Sequence, residues 1–232
     1  MRELAFCLLA AFASKPAAAL DAFQVEVTRS PSKPAMILIP GLASSGAVWN
    51  DTVARYRDRF ECHVLTLSGF AGVSLAQREP GMLARVRSEL AQYIRTQKLN
   101  RPTLVGHSLG GGLALWLAAS EPGLAGDLVI VDSLPNLGAL FGPDFDPKPM
   151  RDLIANQAPA EYRAFVNSGR SLQGMTNQPG RMESIKQWSL DSDQWAVANA
   201  MFELYTLNLI PELPKIRSRA LVLGSWSGMK AF

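Results

Sequence analysis

The chain has 232 residues, 48% of them hydrophobic and 19% charged, with a formal net charge of +3 at pH 7. That is a globular composition, long enough to bury a sizeable core as one α/β domain. The basic excess is not gathered into a Lys/Arg cluster or an aromatic-basic stripe, so no nucleic-acid surface is indicated, and no repeat, low-complexity tract or coiled coil is present.

The N-terminus differs in kind from the rest. Leu4 to Ala13 is an unbroken apolar run behind Arg2, followed by Pro16-Ala17-Ala18-Ala19. This is the layout of a secretory signal peptide cleaved after about Ala19, and the run is too short to span a bilayer, so export to the periplasm or medium is expected without a stable membrane anchor. Cys7 would leave with that segment and Cys62 would remain alone, which rules out an intramolecular disulfide in the mature chain. Phe23 to Thr28 alternates apolar and polar residues and predicts an edge strand, whereas Ala35 to Ile39 is continuously apolar, as a strand buried on both faces of a parallel sheet is. A Gly-rich loop, Pro40-Gly41-Leu42-Ala43-Ser44-Ser45-Gly46, then leads into a helix expected from about Val48 to Asp58. His63 to Leu67 predicts the next buried strand. Beyond the Ser68-Gly69-Phe70-Ala71-Gly72 loop, Leu83, Val86, Leu90 and Ile94 recur at helical spacing within about Gly81 to Gln97.

The stretch around Ser108 carries the chemistry. A buried strand, Thr103 to Val105, meets Gly106-His107-Ser108-Leu109-Gly110, and a helical pattern with Leu113, Leu115, Trp116 and Leu117 follows at once, running to about Ser120 before Pro122-Gly123. In that strand–turn–helix context a Gly-x-Ser-x-Gly sequence forms a nucleophile elbow. Gly106 and Gly110 have no side chains to collide as the helix folds back past the strand. The Ser108 hydroxyl then stands at the top of a sheet, and the Leu109 N–H faces the same point from a helix start, where amides lack intrahelical partners and favour negative charge. Ser108 is the candidate nucleophile. Leu128 to Val131 predicts a further strand, ending at Asp132. Strands alternating with helices imply a parallel sheet with ligands at the carboxyl ends of its strands. Ile39, Leu67, Val105 and Val131 all end at loops rich in Gly, Ser or Asp, so their tips are expected to converge on one site.

From Ser133 to about Pro211 the strand rhythm stops. Helices are expected near Met150 to Asn156, Ala160 to Leu172, Arg181 to Trp188 and Ser192 to Leu207, with Ser192 as the N-cap of the last. This insertion is either a cap above the strand tips or a set of surface helices beside the sheet. Leu137, Phe141, Trp188, Trp195 and Phe202 are accordingly either walls of a substrate pocket or cap core. Ala220 to Leu223 resumes the sheet. The expected organisation is a signal peptide over 1–19, the first part of the core over 20–132, a helical cap over 133–211 and the resumed core over 212–232.

With these features together, the chain resembles the α/β-hydrolase superfamily over roughly residues 23 to 232. More narrowly, Pro40 to Trp49, Gly106-His107-Ser108-Leu109-Gly110-Gly111 and Val131-Asp132-Ser133-Leu134-Pro135 resemble a group of exported bacterial members. The resemblance implies an α/β fold with a mostly parallel sheet flanked by helices and a helical cap inserted after the strand ending at Asp132. It implies that Ser108 attacks an acyl carbon of a small ester-like substrate and that the backbone amides of Leu42 and Leu109 hold the oxyanion, with no metal or cofactor. It also implies an acid after one of the last two strands. The loop Gly224-Ser225-Trp226-Ser227-Gly228 contains no carboxylate, and Asp132 stands at the tip of the preceding strand, where it is either that acid or a turn cap. In this superfamily the histidine follows the acid in chain order, yet the sequence holds only His63 and His107. The base, like the last strand and helix of the fold, is therefore expected beyond Phe232, and the 232 residues alone are expected to hydrolyse esters feebly or not at all. A non-catalytic relative that binds a ligand or partner is the alternative; lyases, haloperoxidases and C–C hydrolases share the same motifs, and the oligomeric state stays open.

Overall fold

The computed structural model describes residues 20–30 and 32–224. The expected signal peptide, with Cys7, and the segment from 225 to 232 lie outside the described residues. Among the described residues no helix is long and apolar enough to cross a membrane.

Among the described residues six strands form one sheet in the order β1-β3-β2-β4-β5-β6. They are β1 (Phe23–Thr28), β2 (Ala35–Ile39), β3 (Glu61–Leu67), β4 (Thr103–His107), β5 (Leu128–Val131) and β6 (Ala220–Leu223). Only β1 runs antiparallel, at the edge against β3; all the other pairs are parallel. β3 begins two residues before His63 because Glu61 and Cys62 still find partners on both sides, Ala35 and Met36 on β2 and, for Cys62, Thr28 on β1. The register aligns Ile39 with Gly106, His107 with Val131 and Val131 with Leu223, so the C-terminal ends of β2, β4, β5 and β6 lie at one level.

The twofold alternation of β2 sorts the core. Ile37 and Ile39 point to one face with Leu65, Leu67, α2 (Met82–Thr96) and α3 (Leu109–Ser120), while Met36 and Leu38 point to the other with Cys62, Val105 and Trp49. Each of the fully buried leucines and isoleucines contributes roughly 1.5–3 kcal/mol by leaving water. The helix α3 is apolar all round, and it is correspondingly buried everywhere except at Trp116 and Ser120. The helix expected over 48–58 splits into a 3-10 turn, Gly46–Trp49, started by the Ser45 hydroxyl accepting from the Ala47 N–H, and α1 (Asn50–Tyr56).

After β5 come α4 (Lys148–Asn156), α5 (Pro159–Asn167), α6 (Pro179–Leu190) and α7 (Gln194–Thr206). The single helix expected over 160–172 is interrupted at Gly169, whose φ of 71° ends α5, and continues only as the 3-10 turn Arg170–Leu172. Asp193, not Ser192, caps α7: its carboxylate accepts the Ala196 N–H at 3.0 Å. Ser192 is already engaged, donating to the Trp188 carbonyl at 2.7 Å and accepting from the Ala71 N–H at 2.9 Å. The inserted segment is not uniform. Ala196, Val197, Ala200 and Leu204 of α7 belong to the main core, and the Glu203 carboxylate accepts the N–H groups of Gly81, Met82 and Leu83 at 2.8–3.0 Å. That charge satisfies the orphan donors at the start of α2, where the helix dipole favours it. By contrast α4 has no buried residue and is tied to α7 through the Gln194 side-chain amide, which donates to the carbonyls of Ile154 and Gln157.

Candidate functional site

The turn after β4 is built by exclusion of side chains. A Cβ on Gly106 would run into the Gly110 backbone, and one on Gly110 into the backbone of Ile39 and Pro40. Only glycine lets α3 start this close beneath the end of β2. Between them Ser108 adopts φ 51° and ψ −119°, a conformation that costs a non-glycine residue about 1–3 kcal/mol. Ser108 occupies the N-cap position of α3, yet its hydroxyl does not cap the helix. Its backbone is held instead: the N–H donates to Val131 O at 2.8 Å, and its carbonyl accepts from Gly111 and Gly112 at 2.9 and 3.1 Å. The Leu109 N–H lies in the first turn, where no intrahelical acceptor exists. On the other side the β2 loop closes in, since a Cβ on Gly41 would lie 3.5 Å from Ser108 Cβ and 3.1 Å from His107 Nδ1. The adjacent Leu42 therefore arrives beside the serine.

Above this turn is a cavity of about 340 Å³. Leu42, Ala43, Ser44 and Ser108 form its floor, Val197, Met201, Leu204 and Tyr205 of α7 one side, and Leu137 the loop after β5; Ile154, Tyr162, Phe165, Val166 and Ile185 come from α4, α5 and α6, and Leu172 and Met175 from the segment between α5 and α6. The structure thus brings together Ser108, Leu42 and Leu137 of the residues named from sequence, with Leu109 fully buried directly beneath. The other four expected wall residues sit elsewhere. Phe141 is 53% exposed and stacks on Phe145, ring centroids 4.5 Å apart, with Tyr205 edge-on to both. Phe145 and Tyr205 line a second hollow of about 480 Å³ that shares Tyr205 with the first. Phe202 lies beneath the Arg151 guanidinium, 4.8 Å from its ring, in a depression with Trp116. Trp195 packs against the main core, and Trp188 is half-buried outside the cavity lining. The helical phase of α7 explains this placement: Trp195 and Phe202 share one side of it, while Val197, Met201 and Leu204 share the side over Ser108.

Asp132 stands at the tip of β5 with φ 44°, its N–H donating to Leu223 O at 2.8 Å. The β4–β5 register sets it on the strand next to Ser108, and the residue as a whole is exposed. His107 packs over Gly41. Burial pushes its pKa below the usual histidine value, against the opposing pull of the Asp132 charge. His63 is buried in β3 with Nδ1 2.7 Å from the Tyr93 hydroxyl and Nε2 3.2 Å from a Glu61 oxygen, outside hydrogen-bonding geometry; burial lowers its pKa as well, opposed by Glu61. Among the described residues no hydrogen bond links either histidine to Ser108. The residues missed from sequence are the lining residues of α4, α5, α6 and α7, with Ser171, Leu172 and Met175 between α5 and α6. Tyr162, Phe165 and Val166 stand at i, i+3 and i+4, a legible apolar face whose direction nothing local reveals.

Comparison with known proteins agrees with the fold. The sequence matches the alpha/beta hydrolase family over residues 36–230, and the chain belongs to that family. Among its relatives, a putative carbamate hydrolase RutD from Serratia proteamaculans is 28% identical over 140 residues, 60% of this chain and 52% of that protein. A pimeloyl-[acyl-carrier protein] methyl ester esterase from Aeromonas hydrophila is 33% identical over 168 residues, 71% of this chain and 64% of that one. The chain therefore spans between half and two thirds of the length of these relatives. The crystal structure of a hydrolase from Pseudomonas aeruginosa superposes with a TM-score of 0.74 at 18% identity, covering 88% of this chain and 76% of that one, which speaks for the fold alone.

Proposed function

We propose that the protein is a serine hydrolase that cleaves a carboxylic ester or thioester through an acyl-enzyme on Ser108. The observation that carries this reading is the backbone of Ser108: a strained φ/ψ, maintained by glycine packing on both sides, holds a hydroxyl that caps nothing on the floor of a cavity. Strain of this kind persists only where the surroundings over-determine it, and it concentrates at reactive groups. In the reaction a base takes the Ser108 proton as Oγ bonds to the acyl carbon. The tetrahedral oxyanion is held by the N–H groups of Leu42 and Leu109, each worth about 3 kcal/mol in the transition state. The leaving group departs with the proton, and water releases the acid by the reverse steps. Asp132 orients the base and stabilises its charged form. The reading needs a general base that the described residues do not supply. It also includes export, on the strength of the apolar run from Leu4 to Ala13; sequencing the N-terminus of the secreted protein checks it.

Between the reactions of the two relatives, the apolar cavity favours the ester type. A small carbamate offers little apolar surface to a lining dominated by Leu, Ile, Val, Phe and Met side chains, whereas the acyl chain of an ester gains by covering them. Fluorophosphonate labelling of the natural full-length protein tests the mechanism: a covalent adduct on Ser108 that disappears in Ser108→Ala is the expected result, and an unlabelled Ser108 overturns it. The second reading, a ligand-binding relative without catalysis, is favoured by the engagement of His63 with Tyr93 and by the packing of His107 on Gly41, and it predicts the unlabelled outcome.

A further inference from the structure

We infer that the cavity over Ser108 selects an uncharged, largely apolar acyl group of medium size and rejects acyl chains that carry a charge at the far end. This rests on the hydrolase reading and adds the substrate class to it. Among the described residues the cavity lining contains no Asp, Glu, Lys, Arg or His. Its upper part is mostly aliphatic, aromatic and thioether surface, from Val166, Leu172, Ile185, Phe165 and Met175, with Tyr162 and Ser171 as neutral polar members. Two of its hydroxyls are already spent, since Ser44 donates to the Leu42 carbonyl at 3.1 Å and Ser189 to the Ile185 carbonyl at 3.0 Å. A terminal carboxylate or ammonium entering here would lose its water and find no opposite charge, which is the costliest of burials. A methylene chain loses nothing by the same move and gains from it. The volume of about 340 Å³ is near the lower end of the usual range for small-molecule sites, which limits how much of a long chain is enclosed. A longer chain has apolar surface to follow outward, since Phe165 and Met175 line the cavity and are themselves 45% and 60% exposed.

The test is binding by calorimetry of a matched pair, octanamide and its ω-carboxylate counterpart, to the natural full-length protein and to Ser108→Ala. Octanamide is expected to bind at least about tenfold more tightly to both proteins. Met175→Lys, at a position exposed enough to leave folding alone, is expected to narrow that ratio by placing an ammonium at the mouth; Ile185→Lys sets the charge deeper and is expected to narrow it further. Equal affinities for the two probes, or no binding of octanamide, overturn the inference. The two readings fail separately. Labelling of Ser108 without octanamide binding removes the substrate class and leaves the hydrolase. Selective octanamide binding without labelling removes the hydrolase and leaves a pocket for neutral chains.

Discussion

The floor and the roof of the cavity are built by opposite rules. In the floor, glycines at 106, 110 and 111 have no room for a single methyl group, and nearly all of α3 is buried. In the roof, α4 buries nothing, Leu153 is 69% exposed, and added Cβ atoms at Gly142, Gly169, Gly174 and Gly180 would meet nothing within 4 Å. The difference teaches where each property resides. Geometry that must be held to fractions of an ångström is written into backbone-on-backbone packing, while the surface that meets the variable part of a ligand is left on helices with few constraints. The helix α7 joins the two, with one side in the core and another in the cavity lining.

The sharpest way to break this contrast is Gly110→Ala. Its methyl group would meet the Ile39 and Pro40 backbone, which cannot swing aside, and a loss of about 3 kcal/mol or more in denaturant melts, or no soluble protein, is expected. Gly174→Ala, with open space but φ of 81°, is expected to cost less, about 1 kcal/mol, from backbone strain alone. If the two cost the same, the floor is not over-packed. Glu203→Ala probes the joint: removing the acceptor of three N–H groups at the start of α2 should lower stability by about 2 kcal/mol, with Glu203→Gln recovering part of it.

A smaller effect is set by pH. His63 and His107 both titrate below the ordinary value in the folded chain because burial disfavours their charged forms. The unfolded chain therefore takes up protons first as pH falls below about 6.5, and stability declines from there down to the lowered folded values, by at most about 1.4 kcal/mol per pH unit for each histidine. His63→Gln should flatten the fall in melting temperature between neutral and mildly acidic pH; an unchanged slope would show that His63 protonates freely in the folded state. Smaller again, Ser108→Gly should stabilise the protein by about 1 kcal/mol relative to Ser108→Ala, because glycine alone relieves φ 51°. Leu153→Ala on the roof should stay within about 0.5 kcal/mol of the parent.

Much of the frame was legible in the residues themselves. Ala35 to Ile39, Leu128 to Val131 and Ala220 to Leu223 are strands with the expected limits, because short apolar runs bounded by turn residues have few other ways to be buried. The turn around Ser108 was legible for a related reason: Gly106 and Gly110 mark a local steric demand that is complete within a handful of residues. The choice of Asp193 over Ser192 as a cap was not, since Ser192 is recruited by Ala71, which is distant in sequence. Nor were the cavity walls. Whether Trp195 and Phe202 or Val197 and Met201 face Ser108 depends on the rotation of α7 about its axis. That rotation is set by Ala196 against Gly69 and by Glu203 on the start of α2, contacts that exist only once the chain has folded. The sequence alone determined the strands, the strained turn and the serine on it, because these rest on neighbours along the chain; the tertiary structure alone decided which side chains surround that serine, because helix orientation is a property of the packed whole.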